Sequence, residues 1–349
     1  MRILAIDLGK TSSVACVYEV EDATRQFRRF RTTGQALQSL VNDIRPDRMV
    51  IEICPMAGWI ADLITSMGVE VQVANVSAPA WRWSNTRRKT EGDDALRLAQ
   101  LSSLNQLPQV AVPAPPTRQW RAMIRYRHQL IQRRTQIRNH IRALFDRQGL
   151  ALPRRTACWT QAGIAALRTY AKNFEEVDMD ELWRGELECE LQALSAIEEL
   201  VSQVEQKLDE IEQQQASCRL LRTIPGVGPR LAEIVAAVLD DPRRFSNSKQ
   251  VACYAGLTPR QYQSGDTDRQ GRISRQGNSL LRAMLVEVSW VSLRYNSWAR
   301  QIYERVRRGS AGRKKIAIVA VARRLLVRCW AMLRDGTAWN PPLTVGVSV

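Results

Sequence analysis

The chain of 349 residues carries 51 Lys and Arg against 35 Asp and Glu, a formal net charge of +16, with 45% hydrophobic and 25% charged residues. That balance describes a globular protein with a polyanionic partner, nucleic acid ahead of anionic membrane, and it excludes a disordered basic tail. Seven scattered cysteines without a Cys-x-x-Cys pair, only two histidines, and short, interrupted apolar runs speak against a disulfide framework, a zinc site and a membrane span. Asp7 stands where an export signal would still be apolar, so the expected location is the cytoplasm of a bacterium, beside the nucleoid.

Ile3-Leu4-Ala5-Ile6 predicts a buried strand, Val14-Ala15-Cys16-Val17-Tyr18 a second, and weak alternation over 26–31 a third at a sheet edge. Ala36, Leu37, Leu40, Val41 and Ile44 recur at helical spacing and stop before Pro46. A strand over Met49–Ile53, a helix over Ala57–Met67, a strand over Val69–Val73 and a helix from Asp93 follow. Three strands in hairpin-like succession, then helix and strand in alternation, make residues 1–107 a mixed α/β sheet domain. Four prolines between Pro108 and Pro116 read as a linker over 108–117.

Residues 118–218 read as a helical region. A long helix over 118–147 carries nine arginines opposite the apolar positions Leu130, Ile131, Ile137, Ile141 and Leu144. Residues 170–215 invert the charge, with fourteen acids against three bases, so the remaining chain is more basic than its average. Leu187, Leu194, Val201 and Leu208 stand seven apart, which fits an antiparallel helical hairpin, an oligomer-forming coiled coil, or a helix packed within its own domain. In the mainly helical remainder, 219–349, the run Ile224-Pro225-Gly226-Val227-Gly228-Pro229 fits two readings. It is either a helix-hairpin-helix-like turn whose backbone N–H groups cradle a phosphate, or an ordinary helix–helix turn. A polar, glycine-containing loop is predicted from Arg260 to Gly277, then a helix from Asn278 and an apolar helix over Ile316–Leu333.

Asp7 ends the first strand, and Glu52 lies inside another apolar strand. An ionisable group in that setting is costly unless exposed or ligated. Glu91 and Asp94, three apart, open a helix, where they either cap its N-terminus or share one side with other acids. Taken together, and in a basic protein, the four carboxylates predict an all-oxygen Mg²⁺ or Mn²⁺ site for phosphodiester chemistry.

The order strand-Asp, hairpin, strand-Glu, late-helix-Asp is the layout of RNase H-like nucleases. Asp7-Leu8-Gly9-Lys10, Glu52 and Lys89-Thr90-Glu91-Gly92-Asp93-Asp94-Ala95 resemble the N-terminal domain of the DEDD insertion-sequence transposases, RuvC-like serine recombinases guided by a bridge RNA. Ile224–Gly228, Tyr254-Ala255-Gly256-Leu257-Thr258-Pro259-Arg260-Gln261, Ser264-Gly265 and Gly271-Arg272-Ile273-Ser274-Arg275-Gln276-Gly277-Asn278 resemble the second domain of the same family. The likeness runs from residue 3 to about residue 334. It implies a catalytic tetrad of Asp7, Glu52, Glu91 and Asp94, and Ser264 as nucleophile. The family pattern has Asp at the position of Glu91, so either the longer side chain relaxes the metal geometry or Asp93 takes its place. The resemblance further implies a RuvC-like domain, an inserted coiled coil, a serine-bearing domain, and a dimer or tetramer in which the serine of one subunit meets the acids of another. DNA would be cleaved and rejoined through a phosphoserine, at donor and target sites chosen by a structured RNA.

Candidate backbone contacts are Arg118, Arg121, Arg125, Arg133, Arg134 and Arg138 on the long helix, the turn at Gly226 and Gly228, and Arg260, Arg269, Arg272 and Arg275 in the serine segment. For any one arginine the alternative is a solvated surface charge. Ser274 is a rival nucleophile without the Ser-Gly context. Two other functions compete: a water-using junction nuclease on the same acids, which forms no adduct, and a non-catalytic nucleic-acid scaffold whose acids only cap helices.

Overall fold

Short strands buried on both faces decide the architecture of the N-terminal part. The structure, a computed structural model, describes residues 1–75, 91–152, 156–264 and 267–340, with the backbone alone at Glu91, Gln263, Ser264, Thr267, Asp268 and Gln270. They belong to two units, Met1–Pro115 and Pro116–Val349.

In the first unit, β1 (Arg2–Asp7), β2 (Ser12–Glu19) and β3 (Arg25–Arg31) form an antiparallel meander. Their connections are too short for anything but antiparallel neighbours. The chain then crosses over through α1 (Gly34–Ile44) to β4 (Arg48–Glu52), and through α2 (Ala57–Ser66) to β5 (Glu70–Ala74), both parallel to β1. The resulting order is β3-β2-β1-β4-β5. Leu4, Ile6, Met49 and Ile51 share one core with Leu37, Leu40, Ile60 and Ile64 of α1 and α2. Their neighbours Ile3, Ala5 and Val50 face the other way, against Leu98 and Ala99 of α3 (Glu91–Ser103). A sheet covered on both faces needs near-continuous apolar strands, which is what β1 and β4 supply.

The proline-rich stretch is not a free linker at its start. The Asn75 N–H donates to Pro108 O at 2.7 Å and the Val110 N–H to Val73 O at 2.8 Å, so this segment lies along the edge strand β5. Proline accepts at its carbonyl although it cannot donate, which suits an edge. Its last prolines enter the first turn of α4 (Pro115–Arg147), where the missing N–H costs nothing.

The second unit is mainly helical. After α4 come α5 (Gln161–Arg168), α6 (Leu182–Gln214), α7 (Ala216–Leu221), α8 (Pro229–Leu239) and α9 (Ser248–Tyr254). α10 (Ser279–Tyr295), α11 (Ser297–Arg307) and α12 (Lys314–Asp335) complete it. Ion pairs Arg127–Glu205, Arg138–Glu198 and Arg147–Glu186 show that α4 and α6 run antiparallel. The seven-residue seam of α6, Leu187, Leu194, Val201 and Leu208, is buried. At one end it packs with Ile141, Leu144 and Phe145 of α4, and at the other with Ile124 and the core around α8. Of the arrangements open to the heptads, the chain itself adopts an antiparallel helical pair. α8 is buried at every position from Leu231 to Leu239, as a helix apolar all round must be.

The segment expected to be a loop from Arg260 to Gly277 is instead a β-hairpin, β6 (Pro259–Ser264) with β7 (Thr267–Ile273). Arg260, Gln261, Tyr262, Arg269 and Arg272 are exposed on it, so no buried face imposes the alternation by which strands are recognised.

Candidate active site and nucleic-acid interface

Ile6 of β1 pairs in parallel with Ile51 of β4, so the residues that follow, Asp7 and Glu52, end neighbouring strands at the same edge of the sheet. Asp7 lies two positions after Ala5 and Glu52 two after Val50, which puts both on the face covered by α3. Both are half-buried. α3 reaches that face through Leu98, and Asp94 stands one turn before Leu98, with its Oδ1 shut off from solvent. Asp93 is exposed. Glu91 opens α3, and its side chain lies outside the described residues. Three of the four expected acids thus share one face at the carboxyl ends of β1 and β4, where open α/β sheets bind ligands.

An all-carboxylate set suits a hard divalent cation in donor type. Among the described residues, no group of three or more His, Cys, Asp or Glu side chains closes into a metal cluster. Asp7, Glu52 and Asp94 thus suit such an ion in donor type and share one face, but as placed here the three do not close on a single ion.

Ser264 is the last residue of β6 and pairs with Thr267 of β7. Its side chain, like all of Gly265, lies outside the described residues. The opposite end of this hairpin is held tightly. The Ser274 N–H donates to Thr258 O at 2.8 Å and the Arg275 N–H to Gly256 O at 3.2 Å. A Cβ on Gly256 would meet Gln276 O at 2.0 Å, and one on Gly277 would meet Tyr254 O at 2.0 Å. Only glycines let these two backbones cross, which explains the Ala-Gly-Leu and Gln-Gly-Asn motifs physically. Arg282 of α10 clasps the crossing through Ala255 O at 2.8 Å. Ser274, the rival nucleophile, has its Oγ buried in this latch.

The arginines expected on α4 separate by partner. Arg121 donates through Nε to Ala237 O at 2.6 Å and through Nη2 to Val238 O at 3.1 Å, capping the end of α8, and burial lowers its pKa. Arg138 donates to Glu198 at 2.5 Å and lies 5.1 Å from the centroid of Trp159. Arg118 and Arg134 are half-buried, and burial lowers the pKa of Arg134. Arg125 and Arg133 are exposed. Gly226, with its φ in the left-handed region, abuts Ser292 of α10, and Gly228 precedes Pro229 as the N-cap of α8. Arg260, Arg269, Arg272 and Arg275 are exposed on and beside the hairpin.

Sequence reasoning missed a cationic groove in this unit, a cavity of about 1600 Å³ bordered by the hairpin, α11 and α12. Arg323, Arg324 and Arg328 line it and had been hidden within a helix predicted as apolar. The available signal was spacing: Lys315, Val319 and Arg323 step by four, as do Ile316, Ala320, Arg324 and Arg328, so two neighbouring rows share one helix face.

Comparison with known proteins adds to this geometry. Residues 4–148 match a transposase family model of the DEDD type of IS110, and residues 218–304 match the model of the transposase IS116/IS110/IS902 family. A probable family 20 transposase of Pseudomonas aeruginosa is 26% identical over 98% of this chain and 100% of its own length. The transposase for insertion sequence element IS1111A of Coxiella burnetii is 25% identical over 95% of this chain and 90% of its own. The pilin gene-inverting protein of Moraxella lacunata is 33% identical over 35% of this chain and 38% of its own. In the described residues, no helix is long and apolar enough to cross a membrane.

Proposed function

The chain belongs to the IS110 family of DEDD transposases, enzymes of DNA transposition, and from that premise we propose that it cuts and rejoins DNA through a covalent phosphoserine at Ser264, at sites chosen by a structured guide RNA. The observation that carries the reading is the placement of Asp7 and Glu52 at the ends of adjacent parallel strands, on the face that also receives Asp94. The sheet order β3-β2-β1-β4-β5, antiparallel on one side of β1 and parallel on the other, supports an RNase H-like, RuvC-like domain.

Asp7, Glu52 and Asp94 are the residues to hold Mg²⁺ or Mn²⁺, with Glu91 as fourth donor. Bound there, the metal supplies the Lewis acidity that a serine hydroxyl needs at neutral pH in a chain with no histidine near Ser264 in sequence. The Ser264 hydroxyl gives up its proton as Oγ attacks the phosphorus of a DNA phosphodiester, the bond from phosphorus to the leaving deoxyribose oxygen breaks, and that oxygen takes up a proton. The phosphoserine ester keeps the phosphodiester count constant, so a hydroxyl from a second DNA end rejoins by the reverse step, without water or an energy source. The rigid latch at Gly256 and Gly277 fixes one end of the hairpin whose last β6 residue is Ser264. Acids and serine are supplied by different subunits of a dimer or tetramer.

A recombination assay in cells, with the chain expressed beside the non-coding flank of its element, tests this. Ser264→Ala, Asp7→Asn and Glu52→Gln should each lower recombination on the order of 10³-fold or more. Removal of the flank should abolish it. Full recombination by Ser264→Ala would overturn the mechanism.

A further inference from the structure

The groove bordered by α11 and α12 has a composition the catalytic reading does not use. Its floor is apolar, with Leu257, Ile273, Ile302, Val319 and Val327. Cations stand around that floor: Arg272 on the hairpin, Arg275 just beyond it, and Arg305 on α11. From α12 come Lys315, Arg323, Arg324 and Arg328. Among the described residues, no Asp or Glu lines the cavity and none of these seven cations is ion-paired to an acid. Arg305 and Arg323 crowd Arg324, and burial with their like charge lowers its pKa. A fold that gathers this much uncompensated charge bears a repulsive cost that a polyanion relieves.

The size of the cavity narrows the occupant. At about 1600 Å³ it exceeds the ~300–1,000 Å³ of ordinary small-ligand sites, so it takes a stretch of polymer rather than a single nucleotide. A duplex shows its phosphates outward and hides its bases, and would leave the apolar floor empty. An acidic peptide offers charge without flat apolar faces. A single strand has both, phosphates for the guanidinium rim and unstacked bases for the floor. Among the described lining residues, Ser248 and Trp298 alone carry uncharged hydrogen-bonding side chains, and the Trp298 indole can only donate. The groove therefore has little with which to read a 2′-hydroxyl, the group that marks RNA.

We propose that this groove holds a single-stranded DNA segment, bases toward Val319 and Ile302 and phosphates on Arg323, Arg324 and Arg328. The proposal rests on the reading that the chain acts on DNA and is independent of the nucleophile. During strand exchange, the occupant would be a strand unpaired from its complement, held out of the way of re-annealing.

Fluorescence anisotropy with the full chain, without divalent metal, tests it on four labelled probes: twelve-nucleotide oligo-dT, twelve-nucleotide oligo-rU, a twelve-base-pair DNA duplex and a twelve-residue poly-Glu peptide. Oligo-dT should bind tightest. Arg323→Gln with Arg324→Gln and Arg328→Gln in one chain should weaken it at least tenfold. The same change should reduce the slope of log affinity against log salt by about 2, three phosphate contacts at ~0.7 each for a single strand. Ala320→Phe, which fills the floor and keeps every charge, should weaken oligo-dT and leave the duplex unchanged. Arg243→Gln, an exposed cation outside the groove, should change neither. Melting of each variant at the wild-type temperature shows that the fold is kept. Equal or tighter binding of duplex, oligo-rU or poly-Glu overturns the proposal, as does an unchanged oligo-dT affinity in both groove variants. A wild-type chain that binds no nucleic acid contradicts the functional reading as well, whereas normal recombination with no strand preference sinks this inference alone.

Discussion

α4 and α12 are both long helices rich in arginine, and they spend that charge in opposite ways. On α4, Arg127 and Arg138 meet glutamates of α6, Arg121 caps the carbonyls at the end of α8, and Arg142 lies 5.3 Å from the centroid of Trp159. On α12, Arg323, Arg324 and Arg328 surround a groove that no acid lines among the described residues. The first helix uses guanidinium groups as building material, because a planar, five-donor head satisfies carboxylates, carbonyls and ring faces alike. The second holds its charge in reserve for something outside the chain. Counting arginines along a helix therefore says little about binding until their partners are known.

The contrast is sharpest at the buried acids that α4, α6 and α8 enclose. Glu233 of α8 is 1% exposed, and burial pushes its carboxyl up to about 7 against the pull of Arg230. Glu212 and Asp209 of α6 and Arg127 of α4 complete its surroundings. Between about 4.5 and 7 the folded chain holds a proton here that the unfolded chain has released, so stability falls as pH rises through that window. Glu233→Gln removes this dependence. Its stability relative to wild type should therefore be higher at pH 8 than at pH 4.5, by on the order of 2–3 kcal/mol at 1.36 kcal/mol per pKa unit. Denaturant titrations at the two pH values measure it, and an equal difference at both would mean that Glu233 is ionised throughout.

A smaller effect separates the arginines themselves. Arg121→Gln takes the side-chain donor from Ala237 O and one of two from Val238 O, which keeps Arg244 Nη2 at 3.1 Å, and should cost about 1–3 kcal/mol, read as a lower denaturation midpoint. Arg324→Gln removes a cation crowded by its own kind, and should change stability by less than ~0.5 kcal/mol or raise it slightly. If the two substitutions cost the same, the division between structural and reserved arginines fails.

What the sequence discloses follows from how strongly each element depends on burial. β1 and β4 are covered on both faces, so their apolar runs stand out, and Asp7 and Glu52 stand out in turn as charges ending those runs. The seven-residue seam of α6 was equally plain, but its partner was not. Leu194 shares a core with Ile141, Leu144 and Phe145, about fifty residues earlier, and no periodicity reveals that. β6 and β7 escaped because an exposed hairpin needs no apolar face. Its one sign was the Gly-Asp pair at 265–266 between two runs compatible with strands. Gly256 and Gly277 were visible as motif residues, while their reason, two backbones crossing too closely for a side chain, is a fact of tertiary structure. The groove escaped because Arg323, Arg324 and Arg328 are diluted among the apolar residues that anchor α12 in the core.

The decisive measurement is a search for DNA covalently joined to protein. The chain, expressed with the non-coding flank of its element, is incubated with Mg²⁺ and junction DNA carrying the element's ends, denatured, digested, and its peptides identified by mass. The account predicts a nucleotide-bearing peptide containing Ser264, absent from both Ser264→Ala and Glu52→Gln. DNA cut with free ends, no adduct, and equal cutting by Ser264→Ala would contradict it and make the chain a water-using nuclease.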